Sequence, residues 1–220
     1  VSAIINMEIF LDSADLNEIQ ELKELIDGVT TNPSLIAKSG YKDKYQDLVS
    51  EICSIVNGPV SVEVVADHYE DIIKQSINLA KIAENIVIKL PLTYEGLISC
   101  KKLSKEHNIN VNVTLCFSPG QALLAAKAGA AFISPFVGRL DDISYNGLYL
   151  IKDICEIYSN YMFDTKVLVA SVRSPTHVIE AAKLGADVVT LPGKILRQLI
   201  NHPLTDSGLA TFEKDWNHKI

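Results

Sequence analysis

Short apolar runs alternate with longer stretches of helical periodicity along the whole chain. The runs at 8–12, 28–31, 60–64, 86–90, 110–115, 131–135, 166–170 and 187–191 are predicted as strands, and each is followed by room for a helix. Ile86-Val87-Ile88 is apolar at consecutive positions, as a parallel strand covered on both faces requires. Asn32-Pro33, Ser118-Pro119 and Ser174-Pro175 each set a capping side chain ahead of a proline, which the first helical position tolerates. The segment Ala125-Ala126-Lys127-Ala128-Gly129-Ala130 has a counterpart in Ala181-Ala182-Lys183-Leu184-Gly185-Ala186. Both read as a helix end, a glycine free to take positive φ, and the start of a strand. Repeated units of this kind predict a single (β/α)8 TIM barrel of the α/β class. A doubly wound open sheet is the alternative, but no glycine-rich dinucleotide loop follows the first strand. From Pro203 onward, Leu209, Phe212 and Trp216 recur at helical spacing, predicting an additional C-terminal helix packed on the barrel or on a neighbouring subunit. The barrel with this helix is expected to occupy 7–220, with 1–6 an N-terminal extension and Met7 a natural start.

Bulk properties narrow the classes of function. A chain of 220 residues with 48% hydrophobic and 21% charged residues suits one globular domain with a sizeable core. No apolar run approaches the length needed to span a bilayer, and no secretory signal is evident, so a cytoplasmic protein with no membrane partner is expected. A net charge of −7 argues against a nucleic-acid partner, although a local basic pocket could still hold a phosphate. Cys53, Cys100, Cys116 and Cys155 lie far apart without paired spacing, which fits a reducing compartment rather than a disulfide framework or zinc site. The five histidines form no ligand-spaced cluster, so neither a metal nor a cofactor is expected.

Barrel enzymes carry their chemistry at the C-terminal ends of the strands. Those ends here hold Asp12, Thr31-Asn32, Glu63, Lys89, Asn112 with Thr114, Ser134 with Phe136, and Ser171 with Arg173. Lys89 follows Ile86-Val87-Ile88, where a low-dielectric setting disfavours the ammonium and a neutral amine can attack a ketone to form a Schiff base. Alone, such a lysine would be read as snorkelling to water; the carboxylates sharing its mouth favour chemistry. Asp12 either caps the next helix or, if Ser13 does so, faces the mouth as a base able to drive carbon–carbon cleavage. Glu63 is a charge on an apolar strand, either an ion-pair partner or the holder of a water and proton shuttle. Arg139 and Arg173 have the fork geometry for phosphate, with Ser171 as a further donor. An ion pair of Arg139 with Asp141 or Asp142, and a solvated loop for Arg173, are the bland alternatives. Asn32, Asn112 and Thr114 are neutral hydrogen-bonding groups suited to positioning.

Together these segments resemble the transaldolase family, particularly its small members, which include fructose-6-phosphate aldolases. The matching stretches are Ile9-Phe10-Leu11-Asp12, Thr30-Thr31-Asn32-Pro33-Ser34, Val62-Glu63-Val64, Val87-Ile88-Lys89-Leu90-Pro91, Asn112-Val113-Thr114-Leu115, Ser134-Pro135-Phe136-Val137-Gly138-Arg139 and Ala170-Ser171-Val172-Arg173. The resemblance runs from Met7 to about Trp216. It implies that Lys89 forms the Schiff base, that Asp12 is the acid/base for cleavage, and that Glu63 and Thr114 orient a catalytic water. It implies further that Asn32 and Asn112 meet substrate hydroxyls beside Ser134, and that Arg139, Ser171 and Arg173 hold the phosphate. The implied partners are sugar phosphates, and the implied assembly a homo-oligomer, a pentamer or decamer. The implied activity is transfer of a dihydroxyacetone unit within the pentose phosphate pathway. The aldolase members carry glutamine where this chain has Glu63, and tyrosine where it has Phe136; both positions here look like transaldolase. Free aldolase activity and a catalytically silent sugar-phosphate-binding barrel are the alternatives.

Overall fold

In a computed structural model, which describes residues 6–41 and 44–217, the eight apolar runs close into one parallel barrel in chain order. The strands are β1 (Glu8–Asp12), β2 (Gly28–Thr30), β3 (Val60–Glu63), β4 (Ile86–Pro91), β5 (Val111–Cys116), β6 (Phe132–Pro135), β7 (Lys166–Val169) and β8 (Val188–Leu191). The crossover helices include α1 (Leu16–Leu22), α2 (Pro33–Ser39), α3 (Tyr45–Ile55), α4 (Tyr69–Ala80), α5 (Tyr94–Glu106) and α6 (Pro119–Ala128). They continue as α7 (Val137–Asp141), α8 (Gly147–Tyr161), α9 (Pro175–Lys183), α10 (Gly193–Ile200) and α11 (Pro203–Asn217). Asn32, Ser118 and Ser174 cap α2, α6 and α9 ahead of their prolines, and Gly129 and Gly185 take φ of 86° and 82°. Residues 1–5 of the expected extension lie outside the described residues.

Alternation along the strands divides the core in two. Leu11, Val29, Val62, Ile88, Leu90, Val113 and Ile133 point outward and are buried under the helices. Phe10, Val87, Phe132, Leu168 and Val188 point inward and fill the barrel. The rings of Phe10 and Phe132 stand 6.0 Å apart in a tilted pair. Gly28 makes that packing possible: a Cβ there would lie 2.7 Å from the Phe10 ring and from the Pro59 carbonyl oxygen. Below this plug Lys166 meets Glu8 at 2.6 Å. The N-terminal end of the barrel is therefore filled, which leaves the other end for a cavity.

Two expectations change. The second strand stops at Thr30, one residue short of the expected bound, although the Thr31 amide and hydroxyl both donate to the Ser61 carbonyl, at 3.0 and 2.9 Å. The C-terminal stripe does not pack on the barrel: α11 buries no residue, and Leu209, Phe212 and Trp216 are 61%, 71% and 73% exposed. A fifteen-residue helix can satisfy its backbone without a neighbour, so its apolar face is left over for another surface. No helix among the described residues is long and apolar enough to cross a membrane.

Candidate active site

The C-terminal strand ends converge on a cavity of about 460 Å³ lined by Asp12, Thr30, Glu63, Lys89, Thr114, Ser134, Ser171 and Thr190. The loops and helices above add Asn32, Ser34, Lys38, Phe136 and Arg139. Parallel registry sets the layer: Asp12 pairs with Thr30, Glu63 with Lys89, and Lys89 with Asn112. Polar groups fixed to adjacent strands share a height because the ladder leaves them no freedom to slide.

Lys89 is 5% exposed. Its ammonium donates to the Thr31 carbonyl at 2.9 Å and lies 3.3 Å from Glu63 Oε2. A buried charge needs such partners. None of the four cysteines lines the cavity, and burial pushes Cys100 and Cys116 up to about 12 and Cys53 and Cys155 up to about 11, away from the thiolate.

Neither Asp12 nor Ser13 caps the first helix. Asp15 does, accepting from the amides of Asn17 and Glu18, while the Ser13 hydroxyl donates to Glu18 at 2.8 Å. Asp12 is thereby free to face the cavity, where burial holds its carboxyl above the ordinary carboxylate range. The Lys89 charge and the Thr30 hydroxyl, which donates to Asp12 Oδ1 at 2.9 Å, oppose that rise.

On the next strands Asn112 is fully buried and does not line the cavity itself. Its amide donates to Ser61 Oγ at 3.1 Å and accepts from Ser134 Oγ at 2.7 Å, tying β3, β5 and β6 together. Register shifts between Val113 and Cys116, and Leu115 takes a φ of 61°. This irregularity lets Thr114 and Leu115, neighbours in the chain, both line the cavity. Thr114 Oγ1 is buried without a partner among the described residues, an orphan on the wall of the cavity. Asn32 spends its Oδ1 on the cap of α2, leaving its amide nitrogen for the cavity.

The two arginines part company. Arg139 has no carboxylate partner among the described residues and sits over the Phe136 ring, 4.8 Å from its centroid. Of the two carboxylates offered as its alternative partners, Asp142 forks with Arg173, and Asp141 Oδ2 meets His177 Nε2 at 2.9 Å. Arg173 is exposed and outside the cavity lining. Ser171 lines the cavity with a left-handed φ of 59°. Its carbonyl accepts from Gly138 N at 3.1 Å, and a Cβ on Gly138 would overlap that oxygen. Glycine beside Arg139 thus lets α7 approach the end of β7 and bring Arg139 and Ser171 to one side of the mouth.

Thr30, Thr190 and Lys38 line the cavity without having been singled out in the sequence. The registry of Asp12 could have suggested Thr30; Thr190 in Val188-Val189-Thr190-Leu191 reads as an ordinary β-former, and Lys38 as a solvated helix residue.

The family model for Transaldolase/Fructose-6-phosphate aldolase matches residues 9–220. A probable transaldolase of Thermodesulfovibrio yellowstonii is 58% identical over 212 residues, covering 96% of this chain and 98% of that one. One from Mesorhizobium japonicum is 57% identical over 212 residues, with 96% of each chain covered. Among solved structures, a thiamine phosphate pyrophosphorylase from Pyrococcus furiosus superposes with a TM-score of 0.59 at 13% identity, covering 84% and 85% of the two chains. A lactate oxidase from Pediococcus acidilactici gives 0.63 at 15%, covering 84% and 62%. At such identities these two share the fold alone.

Proposed function

Given that the chain belongs to the transaldolase/fructose-6-phosphate aldolase family, we propose that it is a transaldolase. It moves a dihydroxyacetone unit from a ketose phosphate (sedoheptulose 7-phosphate or fructose 6-phosphate) to an aldose phosphate (glyceraldehyde 3-phosphate or erythrose 4-phosphate). The observation that carries this is a buried lysine amine 3.3 Å from one carboxylate, in a cavity that also holds a second, desolvated carboxylate.

The Lys89 amine, once it has given up a proton, attacks the ketose C2 carbonyl and forms a carbinolamine. Loss of water gives the protonated imine. Glu63 and Thr114 hold the water that leaves and later returns; the orphaned Thr114 hydroxyl supports this role. Asp12 removes the C4 hydroxyl proton, the C3–C4 bond breaks, and its electrons flow into the imine, leaving an enamine on Lys89 and releasing an aldose phosphate. An acceptor aldehyde then enters. The enamine carbon attacks it, Asp12 returns the proton, and hydrolysis of the imine frees the new ketose. Asn32 and Ser134 meet the substrate hydroxyls, and Asn112 acts on them through its hold on Ser134. Arg139 and Ser171 bind the phosphate, with Arg173 joining if substrate draws it from Asp142. No metal or cofactor takes part in these steps, and the working place is the cytoplasm, in the pentose phosphate pathway. The working form is a homo-oligomer in which the exposed face of α11 packs on another copy.

Phe136 lines the cavity without a hydroxyl that could hold a hydrolytic water against the imine, which favours transfer over free aldol cleavage. The deciding experiment follows fructose 6-phosphate with and without erythrose 4-phosphate. Sedoheptulose 7-phosphate formed only with the acceptor is expected. Steady release of dihydroxyacetone without acceptor would make the protein an aldolase. Failure of borohydride to trap substrate on Lys89 would leave a silent binding barrel.

A further inference from the structure

Two hydroxyls that the mechanism does not use lie beside Asp12 in the lining of the cavity. Thr30 Oγ1 lies 2.9 Å from Asp12 Oδ1 and 2.6 Å from Thr190 Oγ1, and the two threonines are only 2% and 4% exposed. They belong to β2 and β8, the strands on either side of β1, so their contact crosses the inner face of the strand that carries Asp12. Burying two hydroxyls where valines would pack equally well is unfavourable unless they bond to something. Val188, two residues earlier on the same inner face, shows what packing alone selects.

Hydrogen counting defines what the pair can do. Thr30 has one proton and two partners. When Asp12 is ionised it can only accept, so Thr30 donates to Asp12 and Thr190 must donate to Thr30. When Asp12 carries its proton on Oδ1 the order can reverse: Asp12 donates to Thr30, and Thr30 to Thr190. Rotating the hydroxyls interconverts the two orders with no heavy atom moving; in the reversed order Thr190 accepts from Thr30, and its own proton, without another acceptor among the described residues, turns to the cavity it lines. The donor chain is the stronger of the two when its end is a full negative charge.

We propose that Thr190, acting through Thr30, is a positioning residue that tunes the proton affinity of Asp12 by a hydroxyl chain whose polarity reverses as Asp12 gains or loses its proton. The chain suits a carboxylate that acts as base in cleavage and acid in the return step, and its use in catalysis rests on that assignment of Asp12. Burial pushes the Asp12 carboxyl up, and the chain pulls the other way together with Lys89. The other charged groups lining the cavity are Glu63, Lys38 and Arg139, and among the described residues none of them hydrogen-bonds to Thr190.

The test titrates Asp12 directly, by carbon-13 carboxyl NMR of the full-length protein, with the Asp12 resonance identified by its loss in Asp12→Asn. Thr190→Val keeps the shape and deletes the hydroxyl; Thr190→Ala serves if the valine variant does not fold. The Asp12 midpoint is expected to rise by about half a pH unit in either variant, and Thr190→Ser to restore it. A midpoint that stays or falls, or a serine variant that behaves like valine, overturns the chain. The dependence of kcat/KM on pH is then measured with the same proteins, and its acid limb should move with the NMR midpoint. If the midpoint moves and the limb does not, the hydroxyl chain stands and the role of Asp12 as the base in cleavage falls.

Discussion

Asp12 carries opposite consequences for stability and for activity. Burial raises its folded-state pKa above the ordinary value, so its protonated form suits the fold and its charged form is held at a cost. The stability it contributes is complete below the unfolded carboxyl pKa and is lost as pH rises through the raised folded value. Asp12→Asn should therefore melt higher than the unaltered protein at pH 7, with the gap closing as pH falls toward the acid side; calorimetry across pH checks this. The same change should lower cleavage roughly 10²- to 10⁴-fold, since the amide cannot take a proton. A contrast between the arginines also belongs to single residues. Arg139→Ala removes a guanidinium with no carboxylate partner among the described residues and should raise KM for sugar phosphates roughly ten- to a hundred-fold. Arg173→Ala removes one already held by Asp142 and should change KM by only about three-fold. Equal effects on KM would show that substrate draws both into one phosphate site.

Elements explain why these residues meet. The close approach of α7 to the end of β7 depends on Gly138, whose missing Cβ leaves room for the Ser171 carbonyl oxygen. Gly138→Ala should destabilise the fold by about 1–3 kcal/mol in urea unfolding and weaken sugar-phosphate binding, because Arg139 follows directly in the helix. Unchanged KM with lowered stability would separate packing from positioning. The irregularity in β5 is a second local device: the strained Leu115 lets adjacent residues share the cavity and leaves Thr114 Oγ1 without a partner among the described residues. Neither device shows in hydrophobic periodicity, because a glycine or leucine near a strand end has many ordinary explanations.

For the whole molecule, Phe10, Phe132 and the Glu8–Lys166 pair fill one end of the barrel, and the catalytic cavity opens at the other. The surface left unfinished is α11, whose Leu209, Phe212 and Trp216 are exposed together. If this face meets a second copy, Phe212→Asp with Trp216→Asp should reduce the mass in light scattering to one chain of 24.1 kDa, while the circular dichroism of the barrel persists. An unchanged mass in the double variant would remove α11 from the interface.

The order, type and bounds of all eight strands were legible in the sequence to within about a residue, as were the three proline-headed caps. Burial of a parallel strand and capping of a helix are dictated by near neighbours in the chain. Most of the cavity was legible for a related reason: a parallel barrel forces strand ends to one rim, so polar residues there meet whatever the loops do. What the tertiary structure alone decided was partnership. Asp15, not Asp12 or Ser13, caps the first helix; Asp142 chooses Arg173 over the nearer Arg139; Asn112 turns to Ser61 and Ser134 rather than to the cavity. Thr30 finds Thr190 across 160 residues. Each is a choice among several chemically suitable partners, settled by distances between elements remote in the chain, which local periodicity does not encode.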